Sequence, residues 1–363
     1  MIPLFEHYPK LSKNIPYVSL GKFPTPIERM DALGKELGLR NLYVKRDDKS
    51  GDLYGGNKVR KLEFILGDTI RSKALLTFGY AGSNHTLATS IYAKKLGLKS
   101  IPMLLPQPNA HYIRRNLLMS HCCGAELHHY PNVSALYFGC AYQLLRHRLS
   151  DKSFPRMIPP GGSTPIGTLG FVNAAFELYE QIKKGTISEP DRIYFPLGTV
   201  GTAAGLTLGA KALGLKTRVV SVRVTPTKYA NAKRMLKLIR KTNSLLCKAD
   251  FSFPKLLFSD SDLEIRQDHF GKQYALFTEE GVAAIKLMKE TEGIKLDGTY
   301  TGKTLASLIT DVKREDLKDK VILFWNTYNS VDFSDAIKKV DYRELPRGLH
   351  RYFEEDVQVL DRD

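Results

Sequence analysis

Two lysines, Lys58 and Lys61, follow a pair of glycines and an asparagine in YGGNKVRKLEFIL, residues 54–66. If a helix begins there, the spacing puts both amines on one side of it. A lysine behind a glycine turn is accessible to a large planar ligand, and an amine is a nucleophile towards carbonyl groups. A helix start with two surface lysines also accounts for this segment. GTVGTAAG at 198–205 follows a predicted strand and opens a predicted helix. Backbone N–H groups at such a start, flanked by small side chains, bind phosphate. A tight strand-to-helix turn is the plainer reading, and the spacing departs from the GxGxxG dinucleotide fingerprint. In GYAGSNHTLATS, residues 79–90, Ser83 or Asn84 suits a helix N-cap, which alone explains both residues.

Other motifs carry less. TGKT at 301–304 resembles the end of a nucleotide-binding P-loop, but the glycine required five residues before Gly302 is Asp297. No GxSxG surrounds Ser83, and His128 and His129 on a strand point to opposite faces and cannot chelate one metal. A nucleoside triphosphatase, a serine hydrolase of that type and a metal site are not expected.

The elements that must position these residues are α/β in pattern. Apolar runs of strand length (ALLTF, SIPMLL, ELHHY, RIYFPL, RVVSVRV, KVILFW) alternate with helical patterns (HTLATSIYAKKLG, HYIRRNLLMSHCCG, TAAGLTLGAKALG, YANAKRMLKLIRK). Parallel β-α-β units fit this spacing. The chain has 363 residues, roughly two domains' worth at about 150 each. FPRMIPPGGSTP reads as a loop in which the chain crosses between domains, near 155–165. Residues 193–210 run uncharged, but four glycines and a proline there favour a buried strand, a turn and a helix start over a membrane span.

At 43% hydrophobic and 25% charged the composition is that of a globular protein. Four irregularly spaced cysteines and no apolar leader suggest a reducing, cytoplasmic setting. The net charge of +16 suggests an anionic partner, and residues 192–249 hold 12 Lys and Arg without one Asp or Glu. KRMLKLIRK reads as an amphipathic helix with a solvated basic face. No nucleic-acid module accompanies it, so specific nucleic-acid binding is not expected.

Together the segments resemble the pyridoxal-phosphate enzymes of the tryptophan-synthase-β fold type, and most closely the aminocyclopropane-carboxylate deaminase and D-cysteine desulfhydrase family. The blocks PTPIERM, LYVKRDD, GGNKVRKLE, GSNH, PPGGSTPIGTLGFVNAAFEL, GTVGTAAG, YALFTEEGVAAIKLMKETEGIKLDGTYTGK and ILFWNT stand in family order over about residues 20–330. The resemblance implies an α/β fold type II architecture, with two open twisted, mostly parallel sheets flanked by helices. It implies a large cofactor domain of residues 1–58 plus 163–363, including an extension from about 331, and a small α/β domain of 59–162. It implies pyridoxal 5'-phosphate as cofactor, no metal, a small amino-acid substrate, no membrane association and a homodimer.

By the same resemblance, Lys58 forms the Schiff base, while Lys61 and the loop Gly198, Thr199, Val200, Gly201 and Thr202 hold the phosphate. Asn84 meets the cofactor's phenolic oxygen, Ser83 and His85 serve the substrate, and Tyr274 and Tyr300 are active-site tyrosines. Thr327 or Thr301 faces the pyridine nitrogen. SNH and YTGK match the desulfhydrase pattern, whereas the deaminases resemble SNQ and YEGK. Three positions depart from the usual pattern and bear on substrate selection: Gly82 for Gln, Phe277 for Pro, and Asn326-Thr327-Tyr328-Asn329 for HTGG. The implied reaction is β-elimination from D-cysteine or a similar amino acid, giving pyruvate, ammonia and sulfide. Aminocyclopropane-carboxylate deamination is the alternative, and a non-catalytic anion- or nucleic-acid-binding protein is the alternative from another class.

Overall fold

The computed structural model describes residues 1–68 and 72–362. In chain order its strands are β1 (Ile27–Arg29), β2 (Asn41–Lys45), β3 (Ala74–Tyr80), β4 (Lys99–Leu105) and β5 (His128–His129). They continue with β6 (Arg156–Ile158), β7 (Arg192–Leu197), β8 (Arg218–Arg223), β9 (Glu264–Arg266) and β10 (Val321–Trp325). The longer helices are α1 (Asn57–Leu66), α2 (Asn84–Lys95), α3 (His111–Cys122), α4 (Val133–Ser150) and α5 (Pro165–Lys183). After them come α6 (Gly201–Ala212), α7 (Ala232–Ala249), α8 (Glu279–Glu292) and α9 (Thr301–Arg314). Among the described residues no helix is long and apolar enough to cross a membrane.

The chain divides into two compact units, Met1–Phe64 with Ser163–Ser330, and Ile65–Gly162 with Val331–Asp363. The larger unit holds a sheet ordered β1-β2-β10-β7-β8-β9, in which only the β1–β2 pair is antiparallel. Strands buried on both faces need apolar residues at every position, and alternate residues serve opposite sides. Ile193, Phe195, Leu197, Leu323 and Trp325 join one core cluster with α5, α6 and α7. Tyr194, Val220, Val222, Ile322 and Phe324 join the other with α8 and α9. The uncharged run 193–210 is thus strand, turn and helix, as its glycines suggest.

The smaller unit holds the all-parallel sheet β5-β4-β3-β6. Its core joins Ala74, Leu76, Ile101 and Met103 to Leu136 and Cys140 of α4. Three features depart from the sequence reading, the first being that residues 59–64, assigned above to the small domain, belong to the larger unit. FPRMIPPGGSTP, read as loop throughout, contains β6, whose three residues are too few to show alternation. The extension after 331, assigned above to the large domain, belongs to the smaller unit. Asn109 and Arg114 both donate to the Tyr352 carbonyl, at 3.2 and 2.7 Å, and the Gln358 N–H donates to the Asn109 carbonyl at 3.0 Å. Leu349 and Tyr352 are fully buried by this docking, so the segment follows its apolar residues rather than its position in the chain.

Candidate active site

Lys58 is positioned by the glycines that precede it. Gly56 adopts φ +89°, and a Cβ there would lie 2.6 Å from the Thr327 carbonyl oxygen, so only glycine lets α1 start against the segment after β10. The Gly56 N–H donates to the Asp47 carbonyl at 2.6 Å and the Asn57 N–H to the Thr327 carbonyl at 3.2 Å. Asn329 accepts from the Gly55 N–H at 2.6 Å. The Asn326–Asn329 departure therefore has a local structural role, since it fixes the turn ahead of Lys58. Burial lowers the Lys58 ammonium to about 8, and the Asp297 carboxylate opposes that shift. About a tenth of the amine is then neutral at pH 7, against well under a hundredth for an ordinary lysine, and the neutral form is the nucleophile.

One turn further on, Lys61 is almost fully buried. Burial first, and then the like charge of Lys58, holds its ammonium well below the usual lysine range. Its Nζ lies 3.0 Å from where a Cβ on Gly201 would stand, and the Ser163 Oγ lies 2.7 Å from the same point. Ser163 accepts from the Gly201 N–H at 3.2 Å and donates to the Thr199 hydroxyl at 2.7 Å. Val200 at the N-cap position of α6 supplies no side-chain cap of its own, and Asn57 reaches the Thr202 hydroxyl at 3.5 Å. A helix N-terminus, an amine and three hydroxyls thus converge about Gly201, where a Cβ would already stand 2.7 Å from the Ser163 hydroxyl. That donor set suits a phosphate.

The tyrosines adjoin this loop. Their hydroxyls are 2.5 Å apart, with the rings edge-to-face at 73°. The Tyr300 ring lies 3.3 Å from where a Cβ on Gly198 would stand. Phe277 packs its ring against Gly298, 2.6 Å from a Cβ placed there, so this departure also has a packing reason. Thr301 is held by Asp297. It is fully buried, and its hydroxyl accepts from the Asp297 N–H at 2.8 Å and faces the Asp297 carboxylate at 3.3 Å. Asp297 in turn accepts from the Tyr300 and Thr301 N–H groups at 2.7 and 2.8 Å, capping α9. The Thr301 hydroxyl is thus engaged within the Asp297 turn, whereas Thr327, largely buried, takes part through its backbone carbonyl, which accepts from the Asn57 N–H at 3.2 Å.

Ser83, Asn84 and His85 lie in the smaller unit. The Ser83 hydroxyl accepts from the Thr86 N–H at 3.3 Å, which makes it the N-cap of α2. The Asn84 side-chain oxygen accepts from the Asn116 NH2 at 3.1 Å, so the Asn84 NH2 is its donating end. His85 is buried. Gly82, the third departure, sits where a Cβ would be 2.6 Å from the Tyr112 ring, and its N–H donates to Gln107 at 2.9 Å. Tyr112 occupies the room a side chain at 82 would need.

Sequence reasoning missed Asn57, Ser163, Asp297, Lys303 and Asn116. Ser163 lies within the PPGGSTP block and Lys303 within YTGK, so both were in view without an assigned contact. Buried Lys303 donates to the Phe270 and Leu276 carbonyls, each at 2.7 Å, and so closes the loop that carries Tyr274.

Residues 18–327 match the family described as pyridoxal-phosphate dependent enzyme. The chain belongs to that family. A D-cysteine desulfhydrase of Serratia proteamaculans (strain 568) is 34% identical over 322 residues, 86% of this chain and 93% of the relative. A protein of Pyrococcus abyssi (strain GE5 / Orsay), provisionally named a 1-aminocyclopropane-1-carboxylate deaminase, is 33% identical over 86% of this chain and 91% of its own. A crystal structure of an ACC deaminase homologue superposes with TM-score 0.76 at 29% identity, covering 93% of this chain and 98% of that one. The two mostly parallel sheets flanked by helices are the fold type II architecture. In this pyridoxal-phosphate enzyme the cradle of Lys61, Ser163, Thr199 and the start of α6 fits the cofactor's phosphate. Gly201→Leu should therefore lower cofactor affinity by about 10- to 100-fold, the loss of one or two charge-assisted hydrogen bonds. Spectrophotometry after dialysis checks this, and unchanged occupancy would put the phosphate elsewhere.

Proposed function

We propose that this chain is a pyridoxal-phosphate-dependent lyase that removes a β-substituent from a small amino acid, most simply D-cysteine, releasing pyruvate, ammonia and sulfide. The bound cofactor supplies an electron sink for a carbanion at Cα. Lys58 carries the cofactor and, once released, takes the proton from Cα. Lys61 and the 198–202 loop hold the phosphate end. Tyr274 and Tyr300, sharing one short hydrogen bond, hold or move a proton at the departing group. Ser83, Asn84 and His85 receive the substrate and the cofactor ring. The protein acts as a homodimer in the cytoplasm, a setting consistent with its four free cysteines.

The observation that carries the choice of reaction is the threonine pair. With the Thr301 hydroxyl engaged by Asp297, we take Thr327, the other threonine the resemblance offers, as the neutral hydroxyl that faces the pyridine nitrogen. A hydroxyl can hydrogen-bond that nitrogen but cannot hold a proton on it electrostatically, as a carboxylate would. The sink is then shallower and favours substrates that expel a good leaving group from Cβ. D-Cysteine and β-chloro-D-alanine offer one, and a cyclopropane ring does not. The resemblance to provisional aminocyclopropane-carboxylate deaminases keeps that activity as the second reading. Keto-acid release from all three compounds under one set of conditions decides between them. The expected result is pyruvate from the first two and at least about tenfold slower turnover of the third. Faster turnover of the cyclopropane compound would reverse the assignment.

A further inference from the structure

Three side chains of the smaller unit form a hydrogen-bond chain that ends at Asn84. It starts on α3 at Arg115, whose Nη2 and Nε donate to the Asn116 side-chain oxygen at 3.2 and 3.4 Å. The Asn116 NH2 donates in turn to the Asn84 side-chain oxygen at 3.1 Å and to the Gly82 carbonyl at 2.9 Å. Asn116 is only 2% exposed, so water hardly competes for these bonds. The parts are held in place on both sides. The Gly82 N–H donates to Gln107 at 2.9 Å, and Arg114, beside Arg115 on α3, donates to the Tyr352 carbonyl at 2.7 Å.

The chemistry of the groups sets the direction of this chain. A guanidinium can only donate and a peptide carbonyl can only accept. With Arg115 at its oxygen and the Gly82 carbonyl at its NH2, the Asn116 amide has one orientation. Asn84 is the member whose amide could face either way, and against the Asn116 NH2 it must turn its oxygen inward. Its own NH2 is then the end that can donate to a ligand, which suits an anionic oxygen. Each bond polarises the next, so the Arg115 charge strengthens the final donor. We infer that Asn116, oriented by Arg115, is a positioning residue for the cofactor, holding Asn84 with its NH2 towards the phenolic oxygen. The inference rests on the reading that Asn84 meets that oxygen, and it names the residue that decides which end of Asn84 does so.

Asn116→Asp tests it, because the shape is kept while the donor becomes an acceptor. The carboxylate retains Arg115, but Asn84 must rotate its NH2 towards it and so present an oxygen to the cofactor's oxygen. Dialysis of the cofactor-loaded protein against graded pyridoxal 5'-phosphate, read by visible absorption, should show a dissociation constant raised at least about tenfold, the loss of one charge-assisted hydrogen bond. Asn116→Ala removes the donor without adding an acceptor and should cost less, about two- to fivefold. A packing role alone predicts the reverse order, since alanine leaves the larger cavity. Asn84→Ala should itself weaken binding about tenfold, and in that background either change at Asn116 should add less than about twofold. Unchanged far-ultraviolet circular dichroism verifies the fold, and the alanine variants complete the cycle without the aspartate. Equal losses at Asn116 in both backgrounds, or full cofactor binding by Asn116→Asp where Asn84→Ala is weak, overturn this inference alone. Full binding by Asn84→Ala overturns both it and the role given to Asn84, while keto-acid release tests the lyase reading independently.

Discussion

Replacing Lys58 with alanine should reduce pyruvate release from D-cysteine by about 10²- to 10⁴-fold, the range for loss of a positioned acid-base group. The size follows from what is left behind. The phosphate cradle, both tyrosines and the Gly55–Gly56 turn stay in place, so cofactor and substrate still bind, but no other amine stands at the head of α1 except Lys61. That amine points to Gly201 and Ser163. Lys61→Ala should act differently, weakening cofactor retention more than turnover of the loaded enzyme. Borohydride reduction of the wild-type protein followed by peptide mapping separates the two roles. A reduced cofactor adduct on Lys58 is expected, and an adduct on Lys61, or on neither, would remove Lys58 from the mechanism.

Glu177→Gln should cost about 3–5 kcal/mol of stability, the usual penalty for removing one partner of a buried ion pair. Glu177 on α5 is almost fully buried. It accepts from Lys45 of β2 at 2.5 Å, from Arg60 of α1 at 2.8 and 2.9 Å, and from the Thr25 N–H at 3.0 Å. Asp47 completes the group through Arg60, at 2.7 and 2.8 Å. The glutamine would leave two buried cations with one carboxylate between them. Burial alone would raise the Glu177 carboxyl, but Arg60 and Lys45 outweigh it and hold the group at about 2. The depressed folded value means a contribution that is complete above the unfolded carboxyl range near 4.3 and is lost as pH falls towards 2, worth about 3 kcal/mol. Urea midpoints of wild type and variant at pH 7 and pH 3 check both claims, and the gap between the proteins should narrow at the lower pH. An equal gap at both values would mean that the carboxylate charge is not what stabilises the helix carrying Lys58.

Local chemistry made much of this protein legible in its sequence. The run Arg192–Leu197 followed by Gly198 and Gly201 could only be a buried strand turning into a helix, because apolar continuity and small residues act over a few positions. The glycines before Lys58 and the ordered family blocks belong to the same short range. Partner choice across long separations was not legible. Ser163 meets Gly201 from 38 residues away. Thr301 closes on Asp297, and the docking of Tyr352 on Asn109 and Arg114 takes the C-terminal segment into the smaller unit. Helix and strand periodicity records which face of an element is apolar. Only the closed tertiary structure decides which buried donor meets which acceptor, because every polar group taken from water must find a partner wherever the packed backbone happens to supply one.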